Sequence, residues 1–423
     1  MIGLLLLALG TFVAGVLYWW ALSATYGEAE RADEIHSVTT EDRWGIKLYR
    51  FRPETGTGEP VLLCHGAFVN HTNFTVPKGM SLVDALREAG YDCWLVDLRG
   101  TRSSAPSLGR SRTEVRFEDF LTGDLPAALD HIRRITGSEQ VHWVGHSMGG
   151  MLLYAYEMAY GGSRIASGVT LASPPGFAGV RMQRPDKLIQ LATLFPDIMG
   201  WAFRATTPIA YRLRVFQTVS PTNWSNMNPS LRPGGLFTVL ENPAPQVAVA
   251  LGDAMAANRL VLKTGDKTID FVAGLATLHT PLLAFFAPQD PFVSPVTAQS
   301  FFDALPTKDK KMVVLSRAKG YAADYNHVDV VFGRRAKEEV FEPIVAWLKA
   351  HPAGKAGAGA KAPAAETPAK PKSPVRKKAA ASGKTRPAKK PAAKKKTAAK
   401  KRAASGIRAK ASEGSGTEPS PES

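Results

Sequence analysis

The stretch 140–151, Q-V-H-W-V-G-H-S-M-G-G-M, constrains this chain more than any other. Val141, Trp143 and Val144 predict a short buried strand, Gly145, Gly149 and Gly150 bracket a turn, and 151–160 has helical composition. A serine at the apex of such a strand-to-helix turn sits in strained backbone, and only small flanking residues let the chain close around it. Ser147 is therefore a candidate nucleophile standing clear of a sheet, with the amide of Met148 at a helix N-terminus facing the same space. The competing reading is a glycine-rich turn that happens to hold a serine; the partners described below weigh against it.

Around that turn, short apolar runs alternate with helical patterns. Residues 34–53 alternate apolar and polar on both sides of Asp42-Arg43-Trp44-Gly45 and predict an antiparallel edge hairpin. Further strands are expected at 61–64, 91–98, 165–172, 281–287 and 311–316. Helices are expected at 80–90, 117–137 and 332–350, with Asp124 a candidate N-cap just before Leu125-Pro126. Strands alternating with helices imply an α/β fold with a mostly parallel sheet covered on both faces. Between Pro175 and Pro281 no strand is evident, and 187–204 and 246–262 have helical composition. Residues 176–279 therefore read as a helical cap inserted over the strand ends of a body spanning 34–350.

A serine hydroxyl is a weak nucleophile and needs a base, and the base needs an orienting carboxylate. Among nine histidines, only His327, in Y-A-A-D-Y-N-H-V-D-V-V, falls in a loop after the last expected strand and before the last helix. Asp290, in A-F-F-A-P-Q-D-P-F-V-S-P, ends the penultimate strand and is the expected acid. The strand at 165–172 is followed by no carboxylate through Gly179, which removes the alternative position. Asp324 and Asp329 lie nearer His327 in sequence; Asp329 is expected to make a local contact or cap the next turn. An oxyanion needs two donors, and the amides of Met148 and of Ala67, in His65-Gly66-Ala67, are the candidates. His65 is expected to orient its loop, and His146 to be structural, since the elbow turns its side chain away from Ser147. Cys64 and Cys93 fall in strands and read as buried free thiols. No metal or cofactor is implied.

Several segments together resemble the acid lipase branch of the α/β-hydrolases, which includes gastric and lysosomal lipases. They are S-V-T-T-E-D-R-W-G-I-K-L, L-L-C-H-G-A-F, Y-D-C-W-L-V-D-L-R-G, D-L-P-A, V-G-H-S-M-G-G and Y-N-H-V-D-V-V-F-G, spread from about residue 35 to 350. The sequence departs from that branch in having D-L-R-G at one strand end and Cys64 where glutamine is usual. The resemblance implies a Ser147, Asp290, His327 triad, in that chain order, and hydrolysis of carboxylic esters through an acyl-enzyme.

Outside the body the chain changes character twice. From Ile2 to Ala24 no residue is charged, and the first residue charged at neutral pH is Glu28. Twenty apolar residues at 1.5 Å each span about 30 Å of hydrocarbon, with Tyr18, Trp19 and Trp20 placed for an interfacial belt. A cleaved signal peptide would have a basic start and a shorter apolar core, so 1–27 is expected to be a single-pass membrane anchor. The flanking charges do not select a side of the membrane. The formal charge of +16 resides almost wholly in 352–423, which holds 19 Lys+Arg against 4 Glu. That tail has no aromatic residue and cannot bury enough surface to order itself, so it is expected to be disordered. Its P-A-K-K-P-A-A-K-K-K-T-A-A-K-K-R run resembles histone H1-like tails, including those of some bacterial granule-associated proteins. Such a tail binds DNA or another polyanion by counterion release, without reading sequence. The leading expectation is a membrane-held serine esterase acting on a small-molecule or lipid ester. Acyl transfer or polyester depolymerisation by the same machinery is one rival. A catalytically idle hydrolase fold that tethers polyanions is the other.

Overall fold

The computed structural model describes residues 2–354 apart from 178, 182–184, 214–220, 232, 243 and 266. The basic tail lies almost entirely outside the described residues. In chain order the elements are α1 (Ile2–Tyr26), β1 (Glu34–Thr39), β2 (Gly45–Phe51), β3 (Pro60–Cys64), α2 (Leu82–Glu88) and β4 (Asp92–Asp97). Then come α3 (Phe117–Asp119), α4 (Leu125–Thr136), β5 (Val141–His146), α5 (Met148–Tyr160) and β6 (Ile165–Leu171). The insertion holds α6 (Asp186–Leu194), α7 (Pro196–Leu213), α8 (Pro233–Val239), α9 (Pro245–Ala257), β7 (Val261–Thr264) and β8 (Lys267–Asp270). The body resumes with β9 (Leu282–Phe286), α10 (Pro295–Ala304), β10 (Lys310–Val314), α11 (Asp329–Phe332) and α12 (Glu342–Ala350).

The main sheet has eight strands in the order β1-β2-β4-β3-β5-β6-β9-β10. β1 and β2 form the expected antiparallel edge hairpin and β2 runs antiparallel to β4; every other pairing is parallel. Parallel strands are covered on both faces, so their side chains are apolar without alternation, and the pleat divides them between two cores. Leu62, Cys64, Trp94, Val96 and Trp143 enter one core; Val61, Leu63, Cys93, Leu95 and Val144 enter the other. Cys64 and Cys93 are both buried free thiols, as expected, and point to opposite faces. Local chemistry sets the helix ends: Ser81 and Asp84 make a reciprocal capping box at α2, and Gly137 takes φ +69 at the end of α4.

Three local expectations are corrected. Asp124 does not cap a helix: it sits at φ −66, ψ −50 at the end of a π-helical turn over Phe120–Asp124 that joins α3 to α4. Its carboxylate instead takes the backbone N–H and Nε of Arg99, both at 2.7 Å, because that buried guanidinium needs a counter-charge. The cap is not all helical. α9 stops at Asn258, which is left-handed at φ +52, and β7 and β8 then form an antiparallel hairpin turning at Gly265 (φ +58). There Leu262 and Ile269 are buried while Val261 and Lys263 face out, a period of two within a window whose composition alone favours helix. Finally, no single helix covers 332–350. Gly333 is extended and bridges Met227 of the cap, and a Cβ there would press on the Tyr325 ring and the Asp329 carbonyl. The helix restarts at Lys337.

α1 is long and apolar enough to cross a membrane. Its last third is docked on the cap. Trp19 stacks on Trp201 (centroids 5.8 Å) and leans on Phe237 (5.3 Å), and the Tyr18 hydroxyl donates to the Ala205 carbonyl at 2.8 Å. Leu22 is 6% exposed beside Ala205 and Phe237. The segment after α1 is held by His71, whose Nε2 meets Glu30 at 2.9 Å and Nδ1 meets Asp97 at 3.0 Å, with the ring stacked 3.6 Å from Tyr49.

Candidate active site

The turn after β5 has the strain its sequence announces. Ser147 has φ +53 and ψ −118, a conformation that L-residues rarely hold. A Cβ on Gly149 would overlap the Cys64 carbonyl, and one on Gly145 would overlap the backbone of Gly149 and Gly150. Glycine is therefore required at both positions for the strand-turn-helix to close. The Ser147 N–H donates to Leu171 O at 2.8 Å, and Ser147 O receives Gly150 N and Met151 N as α5 begins. The amides of Met148 and Gly149 precede those first intrahelical bonds and point out of the helix N-terminus.

The structure brings Ser147, His327 and Asp290 together from three strand ends. Ser147 Oγ lies 2.9 Å from His327 Nε2, and His327 Nδ1 lies 2.8 Å from Asp290 Oδ2. Asp290 is 1% exposed, and its other oxygen accepts the Phe292 N–H at 2.8 Å. The His327 ring is held between Phe292 and His146, with centroids 4.8 and 5.1 Å away. His146 points away from the serine hydroxyl: its Nε2 donates to His327 O at 3.2 Å and its Nδ1 accepts from Asn73. Burial, then repulsion from His327, pushes the His146 pKa down to about 3, which keeps it neutral. His65 is likewise held below its ordinary range by burial; it spans Gly66 O and Leu98 N and so ties the loop after β3 to the end of β4.

Asp329 does more than cap a turn. It is fully buried and accepts from Asn326 N, Asn223 N and Asn226 Nδ2, at 3.0, 3.0 and 2.8 Å, joining the His327 loop to the cap. Burial pushes its carboxyl up to about 6, against the pull of those donors.

Ala67 and Met148 line one small void of about 30 Å³ with Phe68, Glu241, Ala244 and Val247. That is room for about one water. The loop carrying Ala67 is fastened to the cap segment that follows α8. Glu241 N donates to Phe68 O at 2.8 Å, Asn70 N to Val239 O at 3.1 Å, and Val69 bridges Leu240. The Glu241 carboxylate collects Asn70 Nδ2 at 2.8 Å and Arg102 N and Nε at 3.1 and 3.0 Å. Asn70, Arg102 and Glu241 carried no signal in the sequence, because their relation spans 139–171 residues and matches no motif.

The model of the alpha/beta hydrolase fold family matches residues 59–319, more than half of the chain, and the chain belongs to that family. Lipase 1 of Drosophila melanogaster is 36% identical over 134 residues, 30% of this chain and 29% of that protein. Human gastric triacylglycerol lipase is 35% identical over 130 residues, 28% of this chain and 32% of the lipase. The matches thus span about a third of the length of these relatives. An esterase from Exiguobacterium antarcticum aligns with 74% of this chain and 98% of its own, at 17% identity and a TM-score of 0.49.

Proposed function

We propose that this protein is a membrane-anchored serine hydrolase of carboxylic esters. The observation that carries the reading is the unbroken relay Ser147 Oγ, His327 Nε2, His327 Nδ1, Asp290 Oδ2, with links of 2.9 and 2.8 Å. Asp290 accepts the Nδ1–H, which leaves the Nε2 lone pair to take the serine proton. As Oγ bonds to the ester carbonyl carbon, that proton passes to Nε2 and the carbonyl oxygen becomes an oxyanion facing the amides of Met148 and Ala67. Collapse expels the alcohol, which leaves with the proton from Nε2. Water then attacks the acyl-enzyme, again giving its proton to His327, and the acid departs as Ser147 is restored.

An ester with an apolar acyl part is supported by the names of the relatives and by Phe68, Ala244 and Val247 beside the site. Docking of Trp19 and Leu22 on the cap supports α1 as a retained anchor rather than a removed signal. The tail would add polyanion binding through its Lys and Arg.

The test is labelling by a fluorophosphonate probe of wild type beside Ser147→Ala and His327→Ala, followed by an ester panel graded by acyl length. Labelling that needs both residues is expected. Labelling of Ser147→Ala at the wild-type rate would sink the assignment.

A further inference from the structure

Measured along its axis, α1 has two parts. In the first part, up to Leu17, Leu4, Leu5, Leu6, Leu7, Leu9 and Phe12 are each 59–73% exposed. From Tyr18 onward the helix is fastened to α7 and α8 through Trp19, Leu22 and the Tyr18 hydrogen bond. At 1.5 Å per residue the first part rises about 24 Å, most of the roughly 30 Å thickness of the hydrocarbon core. The docked part follows directly on it, so α1 cannot lie in the bilayer without bringing α7 and α8 close to the same surface.

Those partners are dressed for the same medium. On α6, Leu188, Leu191 and Leu194 recur every third residue along an exposed face beside the buried Ile189 and Ala192, and Phe195, Ile198 and Trp201 continue the apolar surface into α7. Each of the six is 42–63% exposed. Between Leu188 and Phe203 the sole charged residue is Asp197, whose carboxylate is occupied by Asn242 Nδ2. Trp201 is also the residue on which Trp19 stacks, so the apolar surface of the cap is continuous with that of α1. Helices with a broad apolar face lie in the interface with that face sunk about 5–10 Å.

We propose that α6 and the first turns of α7 are seated in the leaflet that α1 enters, so that the cap is itself a membrane-contacting element. The proposal rests on the reading of α1 as a membrane anchor. In this arrangement the water-facing surface of the cap begins beyond Trp201, and the enzyme body hangs from the bilayer by helix and cap together rather than by a flexible tether.

Single-cysteine labelling of the full chain in phosphatidylcholine vesicles tests it, because native Cys64 and Cys93 are fully buried and stay unlabelled. Leu9→Cys, Leu191→Cys and Ile198→Cys would each carry an environment-sensitive fluorophore, with Glu139→Cys as a site on the body. Emission at positions 191 and 198 is expected to be lost to nitroxides placed shallowly on the acyl chains and to resist aqueous cobalt. Position 9 should be quenched by deep nitroxides, and position 139 by cobalt alone. Quenching of 191 and 198 by cobalt, with position 9 in lipid, would overturn the seating of the cap and leave the anchor standing. Cobalt access at position 9 as well would overturn both.

Discussion

Replacing His71 by glutamine removes the charge that joins the segment after α1 to the body. Burial works against a charged imidazole, but Asp97 at 3.0 Å and Glu30 at 2.9 Å outweigh it and lift the His71 pKa from 6.5 to about 9. At about 1.4 kcal/mol per pH unit, that rise corresponds to roughly 3 kcal/mol of native-state stability. The same interaction holds Asp97 well below the carboxylate range, despite burial, and is counted once. The folded value lies above the unfolded one, so the contribution is complete below about pH 6.5 and is lost as pH rises through about 9. Urea unfolding of the detergent-solubilised protein, followed by tryptophan fluorescence, should show wild type more stable than His71→Gln at pH 6. That gap should shrink by roughly 3 kcal/mol by pH 10, the titrations of lysines and tyrosines cancelling between the two proteins. A gap that stays constant from pH 6 to 10 would refute the account of His71 as a buried imidazolium.

Two further outcomes concern the site. Asp290→Asn keeps the shape but donates toward Nδ1, selecting the wrong tautomer of His327; ester turnover should fall by about 10⁴ in kcat while fluorophosphonate-accessible protein remains folded by circular dichroism. Glu241→Ala frees the loop bearing Ala67 and leaves Asn70 Nδ2 without its charged acceptor; kcat should fall on the order of 10²-fold with KM little changed, the loss of about one oxyanion donor, and Glu241→Gln should recover part of it.

What the sequence discloses follows from how local the physics is. Ser147 is readable because the strain of its turn must be absorbed by Gly145 and Gly149 within two residues. Asp290 and His327 are readable because each lies in the loop that follows one of the last two strands of the sheet, so position in the chain stands in for position at the site. The reading fails where a distant partner decides. Asp124 has every local mark of an N-cap, yet Arg99, 25 residues away, claims its carboxylate. Gly333 interrupts a helix because the cap bridges to it from Met227. The β7–β8 hairpin is hidden because four-residue strands give too short a period to outweigh the helical composition before them. The docking of Trp19 on Trp201 joins residues 182 positions apart, and nothing near either announces the other.

The bonds from Asp329 to Asn223 and Asn226, and from Glu241 to Asn70, amount to two rivets between cap and body, one beside His327 and one beside Ala67. Any movement that admits substrate must bend the cap between these rivets or on its far side, since pulling either one would displace a member of the reacting set. Engineering follows the same rule. A foreign cap grafted onto this body would need a side-chain amide at position 226 and a carboxylate at position 241, whatever else it carried, while the bond at position 223 comes from the backbone and any residue but proline could supply it.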